Sequence, residues 1–288
     1  MTIRDTMTLA GQYTVRRLGF GAMRITGDGI WGPPQDPAAA RDVLRRAIDL
    51  GVNLIDTADS YGPHVSEELI GETLAPYPEG LVIATKGGFE RSGPHQWHTN
   101  GHPDHLRAAC DGSLERLRLE RIDLYQLHRI DPAVALEDQI GTLIELRESG
   151  KINLIGLSEV SVEDLARVQR LTDVASVQNR YNVVDRRWDD VVDSCTGQDI
   201  AFIPWSPLAI GRLARPGGDI DDIASARGAT PGQVALSWLL HRSPMVTPIP
   251  GTSSVAHLED NVAAADLALD DADLARLDGL AQRRDARR

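Results

Sequence analysis

Cysteine is nearly absent from this chain. Its 288 residues hold only Cys110 and Cys195, each in a helix-forming stretch and neither in a C-x-x-C or comparable spacing. That leaves no metal or redox cysteine motif, and it points to a reducing cytoplasm. Basic charge is also in short supply: 30 Lys and Arg stand against 42 Asp and Glu, a net charge of −12. A field of that sign repels nucleic-acid backbones and anionic lipid surfaces, so neither is an expected partner, and any phosphate-bearing ligand needs a local pocket. No apolar stretch approaches the roughly 20 residues of a membrane span, and residues 1–5 do not open a signal peptide. No Ser/Gly/Pro-rich linker or shift of composition divides the chain, so a single domain over residues 1–288 is expected.

What the chain does contain is repetition. Short apolar segments of strand length alternate with longer amphipathic ones, the pattern of successive βα units. Eight units can be counted, with strand cores at residues 17–21, 53–55, 81–85, 123–127, 153–157, 175–178, 200–204 and 245–248. The third and fifth are apolar without alternation, as in strands covered on both faces. Asp36-Pro37 reads as a helix cap followed by proline at the first helical position, and Leu50-Gly51 as the stop. Apolar stripes run through residues 106–117, 136–146, 162–171, 233–240 and 255–264, with Ser161 and Thr230-Pro231 as further helix starts. A ribbon over residues 7–15, turning at Ala10-Gly11-Gln12, precedes the first unit, and a helix over residues 270–280 follows the last. The expected fold is α/β, a (β/α)8 TIM barrel with an N-terminal β-hairpin and an appended C-terminal helix. An open doubly wound sheet is the alternative. Arg283, Arg284, Arg287 and Arg288 read as a solvated tail without assigned function.

In such a barrel the active site collects at the C-terminal ends of the strands. There the chain places Asp56 and Tyr61 after the second apolar segment, Lys86 after the third and His128 after the fourth. Each alone has a plainer reading: a turn residue, a packing phenol, a solvated ammonium, a core histidine. Four at three successive strand ends make a proton-donating site. An ammonium about 4 Å from a phenol, in an effective dielectric of about 20, supplies on the order of 4 kcal/mol toward phenolate. Lys86 is expected to lower the Tyr61 pKa in this way, with Asp56 holding Lys86 charged and His128 placing a carbonyl oxygen beside the phenol. Trp31, Phe89, Trp97 and Arg129 fall in long segments after strands and are the candidate substrate pocket. His64, His95, His98, His102, His105 and His128 form no H-x-H at a strand end, and no metal site is expected.

The stretch Gly51-Val52-Asn53-Leu54-Ile55-Asp56-Thr57-Ala58-Asp59-Ser60-Tyr61-Gly62 resembles the catalytic-acid and tyrosine segment of the aldo-keto reductases. Ala84-Thr85-Lys86 and Asp123-Leu124-Tyr125-Gln126-Leu127-His128 resemble that family's lysine and histidine segments, and the likeness runs from about Leu18 to Ala265. It implies NAD(P)H-dependent reduction of an aldehyde or ketone, with hydride from nicotinamide C4 and the proton from Tyr61. Gly19-Phe20-Gly21-Ala22-Met23-Arg24 is no G-x-G-x-x-G fingerprint. The family instead lays its cofactor across the barrel mouth. The resemblance implies Ser158 and Gln178 at the carboxamide and Trp205 stacked on the nicotinamide. It implies Ser206, Leu208, Gly211 and Arg212 over the pyrophosphate. Gly251, Thr252, Ser253, His257, Asp260 and Asn261 then hold the adenosine phosphate at a helix N-terminus. Two departures stand out. Glu159 replaces a common Asn, and no basic residue for a 2′-phosphate lies within residues 251–254. NADPH is the expected reductant, with NADH as the alternative. Two other functions are weighed: a cofactor-bound regulatory subunit, and a Schiff-base lyase using Lys86, which Asp56 disfavours by stabilising the ammonium.

Overall fold

A computed structural model describes residues 5–218 and 220–285. Arg287 and Arg288, and the side chains of Arg283 and Arg284, lie outside the described residues. The chain opens with a hairpin of β1 (Thr6–Leu9) and β2 (Tyr13–Arg16), turning through Ala10 and Gly11 at positive φ. The parallel sheet follows: β3 (Phe20–Gly21), β4 (Leu54–Asp56), β5 (Val82–Gly87), β8 (Ile122–Leu127), β9 (Ile152–Ser158), β10 (Ser176–Gln178) and β11 (Ala201–Phe202), paired in that order. A second ribbon, β6 (Phe89–Gly93) and β7 (Gln96–Thr99), is inserted after β5. Residues 245–248 close the barrel. Val246 bridges Phe202 in parallel, and the Gly19 N–H donates to Pro248 O at 3.0 Å. The Arg17 guanidinium reinforces this seam by donating to the Leu240, Ser243 and Val246 carbonyls.

Helices α1 (Pro37–Asp49), α2 (Val65–Leu74), α3 (Pro103–Leu117), α4 (Leu136–Glu148), α5 (Val162–Gln169), α6 (Asp189–Gly197), α7 (Asp221–Arg227), α8 (Pro231–Arg242) and α9 (Val255–Ala263) pack outside, followed by α10 (Asp271–Asp285). Side-chain chemistry starts several of them. Asp36 accepts from the Ala38 and Ala39 N–H groups, and Ser161 with Asp164 and Thr230 with Gln233 form reciprocal capping boxes. No apolar stripe had singled out α2, α6 or α7, although the stretch around Cys195 in α6 read as helix-forming, and all three begin without a side-chain cap, at His64, Trp188 and Ile220. Trp97 and His98 lie in the second strand of the β6–β7 ribbon. Among the described residues no helix is long and apolar enough to cross a membrane.

Strand residues alternate between helix layer and lumen, and the lumen grades from apolar to polar. At its N-terminal end Leu54, Val82, Leu124 and Leu154 pack with Met7, Leu9 and Val15 of the hairpin, which plugs the barrel. Two residues further along each strand stand Asp56, Ala84, Gln126 and Gly156, then Lys86, His128 and Ser158. Ile55, Ile83, Tyr125, Leu127, Ile155 and Leu157 fall on the other parity and join the outer clusters under the helices. Burial on both sides therefore still leaves a period of two, which the uniformly apolar composition of these strands hides.

Candidate active site

Lys86 lies within β5, one residue beyond the expected strand end, and is fully buried. Its Nζ donates to Asp56 Oδ1 at 2.6 Å and Thr57 O at 2.7 Å, and lies 3.4 Å from Tyr61 Oη. These three partners account for the three N–H bonds of an ammonium. The other oxygen of Asp56 accepts from Gln178 Nε2 at 2.8 Å and from Gln126 Nε2 at 3.1 Å. Lys86 is 0 % exposed and Asp56 2 %, so the pair is wholly removed from water. Such a pair survives because hydrogen bonds satisfy both charges. Gln126 is a residue the sequence analysis missed, although its place two residues before His128 on one strand carried the signal. Gly156 makes room for it: a β-carbon there would sit 2.8 Å from Gln126 Cγ and 2.4 Å from Ser176 Oγ.

Burial alone would pull the Lys86 pKa down, but Asp56 and Tyr61 outweigh it and hold Lys86 above its ordinary value. For Tyr61 the balance reverses the expectation. Burial raises the phenol, Lys86 lowers it and Asp56 raises it again, and the net shift is upward. The ammonium limits the rise without overcoming desolvation, because its own counter-ion cancels part of its field. Tyr61 therefore keeps its proton at neutral pH. His128 is 6 % exposed, and burial together with Lys86, Arg129 and Arg91 pushes its pKa well down, so the ring is neutral.

The candidate pocket residues gather over this group. The Tyr61 ring lies edge-on to His128 at 6.0 Å and to Trp97 at 6.4 Å, and Phe89 lies 4.6 Å from His128. Arg91, not foreseen, staples the β6–β7 ribbon across the mouth. Its guanidinium lies 3.7 Å from the Trp97 ring centre and 5.6 Å from that of Trp31, and donates to Ser60 O at 2.8 Å and Ile30 O at 3.0 Å. Arg129 touches two sets of candidates: its guanidinium carbon lies 5.4 Å from the Phe89 ring centre, and it donates to Ser158 Oγ at 2.9 Å.

Of the proposed cofactor residues, Ser158 and Gln178 share the top of the lumen. Both Gln178 amide hydrogens are directed inward, to Asp56 and Gln126, so its carbonyl oxygen is what it can offer a carboxamide. Trp205 is half-buried, and its indole N–H donates to Glu159 Oε1 at 2.7 Å, an oxygen that also accepts the Arg180 N–H at 2.5 Å. Glu159 therefore aims the indole, a role that only the contact reveals. Leu208 is half-buried, and Gly211 and Arg212 are exposed. Ser206 starts their loop, with its Oγ accepting the Ile210 N–H at 3.2 Å. Ser254 caps α9 through the His257 N–H. Gly251, Ser253 and His257 are exposed there, while Thr252 and Asn261 are buried. Asp260 is turned to α8, accepting from Thr230 Oγ1 at 2.9 Å. The Arg24 side chain passes beside this segment: a β-carbon on Gly251 would lie 3.5 Å from Arg24 Cγ. An indole face, a carbonyl acceptor, a capped helix N-terminus and a neighbouring Arg fit an extended dinucleotide.

The sequence model of the Aldo/keto reductase family matches residues 17–282. The chain is 49 % identical over 278 residues to an uncharacterised oxidoreductase of Schizosaccharomyces pombe, covering 96 % of this chain and 90 % of that protein. It is 41 % identical over 284 residues to pyridoxine 4-dehydrogenase of Escherichia coli, covering 96 % and 99 %. A crystal structure of an aldo/keto reductase from Klebsiella pneumoniae in complex with NADP and acetate is similar with a TM-score of 0.82 and 27 % identity, covering 96 % of this chain and 95 % of that one.

Proposed function

The chain belongs to the aldo-keto reductase family and is an NAD(P)H-dependent oxidoreductase, and from that premise we propose that it reduces a flat aromatic aldehyde with Tyr61 as the proton donor. The carrying observation is the buried contact of Tyr61 Oη with Lys86 Nζ at 3.4 Å beneath the rings of Phe89 and Trp97. When bound, reduced nicotinamide supplies the hydride. Tyr61 holds its proton until negative charge develops on the carbonyl oxygen, then releases it. The phenolate left behind sits beside the Lys86 ammonium, so the stabilisation is largest once the proton has moved. Asp56, held by Gln126 and Gln178, keeps the ammonium in place, and neutral His128 offers an N–H to the same oxygen. The aromatic walls exclude water from this transfer. A Lys86 kept charged is no amine nucleophile, which weighs against Schiff-base chemistry.

Ser158 and Gln178 are the proposed carboxamide contacts, Trp205 the ring contact, and Arg24 with residues 251–261 the adenosine end, favouring NADPH. The relative named pyridoxine 4-dehydrogenase makes the pyridoxal–pyridoxine pair the first substrate to try. Purified protein with NADPH and pyridoxal, beside a panel of aliphatic and aromatic carbonyls, should oxidise the cofactor fastest with a ring aldehyde. Tyr61→Phe should lose about 10²- to 10⁴-fold in rate. A Tyr61→Phe enzyme as fast as the wild type would remove the proton-donor assignment.

A further inference from the structure

The loop between β4 and α2 carries a carboxyl group that the mechanism leaves unused. Asp59 is 5 % exposed, and among the described residues its Oδ1 has no hydrogen-bond partner. Glu67 faces it from α2, Arg116 from α3 and the Tyr125 hydroxyl from β8. Arg116 is committed elsewhere, donating to Glu67 Oε2 at 2.8 Å. Tyr125 Oη fills the space that a β-carbon on Gly87 would need, 2.1 Å away. Ser60 follows it directly in the chain, and its backbone N–H and hydroxyl act on the Asp59 carboxyl, holding its pKa down in part against burial. Ser60 then leads to the active site, because its Oγ lies 3.4 Å from His128 Nδ1. Around that imidazole stand Lys86 from β5, Arg91 from β6 and Arg129 beside it in sequence.

A neutral imidazole carries one N–H, and the partner of one nitrogen decides which nitrogen bears it. A hydroxyl gives one hydrogen and accepts at its oxygen, so Ser60 passes the choice along. We propose that Asp59, acting through Ser60 as a protonated carboxylic acid, sets the tautomer of His128. In this state Asp59 donates to Ser60 Oγ, Ser60 donates to Nδ1, and Nε2 keeps the N–H that a carbonyl oxygen needs. On ionisation the Nε2 proton leaves to the barrel mouth, the Ser60 proton passes to Nδ1 and the Asp59 proton to Ser60. One proton is released, two shift by one place, and Nε2 now turns a lone pair toward the substrate. Burial first, and Glu67 after it, push the Asp59 carboxyl up to about 8. The acid form therefore persists through neutrality, and the donor is lost on the alkaline side.

The link to turnover rests on His128 holding the carbonyl oxygen, so the test reads the tautomer independently of activity. Protein labelled with ¹⁵N-histidine, with the His128 ring assigned from its absence in His128→Gln, is titrated from about pH 6 to about pH 10 beside measurements of carbonyl reduction. The wild type should pass from Nε2–H to Nδ1–H through about pH 8, with reduction falling about tenfold per unit above it. In Asp59→Asn the amide oxygen takes the Ser60 N–H and the amide N–H donates to Ser60 Oγ at every pH. Nε2–H should then persist and the alkaline fall move to higher pH. An unchanging tautomer in the wild type, or the same transition in Asp59→Asn, overturns the proposal. If the variant does not fold, the wild-type titration decides alone. A tautomer that behaves as stated in a protein that turns over no carbonyl compound upholds the Asp59 linkage and removes the reductase reading instead.

Discussion

Asp56, Lys86, Gln126 and Gln178 form a wholly buried, hydrogen-bonded group in the barrel lumen, whereas Ile210, Gly211 and Arg212 stand exposed on a loop. The hydrogen bonds of the first group span the chain: Gln178 reaches Asp56 across 122 positions. Those within the loop are local, from Arg212 N–H to Ala209 O and from Ile210 N–H to Ser206 Oγ, with Asn182 tying its start to the barrel through Ser206 O. Ser206, Ala209 and Ile210 all take positive φ there, a conformation L-residues seldom adopt, and Ile210 is 64 % exposed. The buried polar groups are thus held by the barrel itself, and the exposed loop mainly by itself. A change on the first side should cost stability and rate together, while one on the second should alter cofactor binding alone.

The largest effect that tests this contrast is expected from Lys86→Met. It leaves Asp56 buried without its cation, a loss of about 3–5 kcal/mol for a broken buried pair. A fall in melting temperature together with a drop of at least about 10³-fold in kcat is expected. A variant that melts like the wild type would show that the pair is not held as described. Next comes Glu159→Ala, which removes the acceptor of the Trp205 indole. A charged hydrogen bond of that kind contributes about 1.5–3 kcal/mol, so KM for the cofactor should rise about tenfold or more. Glu159→Gln keeps an acceptor and should restore most of the binding, and steady-state kinetics with cofactor varied separate the two. The smallest effect is expected from Arg24→Ala on the exposed rim. The melting temperature should stay unchanged and KM for NADPH rise several-fold, while KM for NADH should not move. Equal changes for both coenzymes would take Arg24 away from the 2′-phosphate.

Legibility followed the range of each interaction. Ser161, Thr230-Pro231 and Asp36-Pro37 announced helices because a cap acts within three residues. Helices α2, α6 and α7 lack such a cap and left no boundary mark. The eighth strand shrank to a single bridge at Val246, since Pro248 and Pro250 bring no N–H to a ladder. In the site, Tyr61, Lys86, Asp56 and His128 could be picked out by residue type and position. Gln126 was hidden within an apolar strand, and the bond from Arg129 to Ser158 joins residues 29 positions apart.

The order of residues along the chain was enough to establish the family, the repeated βα units and the inventory of groups able to move a proton. These follow from short-range pattern and from the chemistry of side chains one at a time. Folding settled the electrostatic balance. Tyr61 retains its proton against the pull of Lys86, His128 is neutral, and Asp59 faces Ser60 without a cation of its own. Each of those states is a contest between lost hydration and a charge brought near by a distant strand or helix. Neither quantity exists until the barrel closes and excludes water.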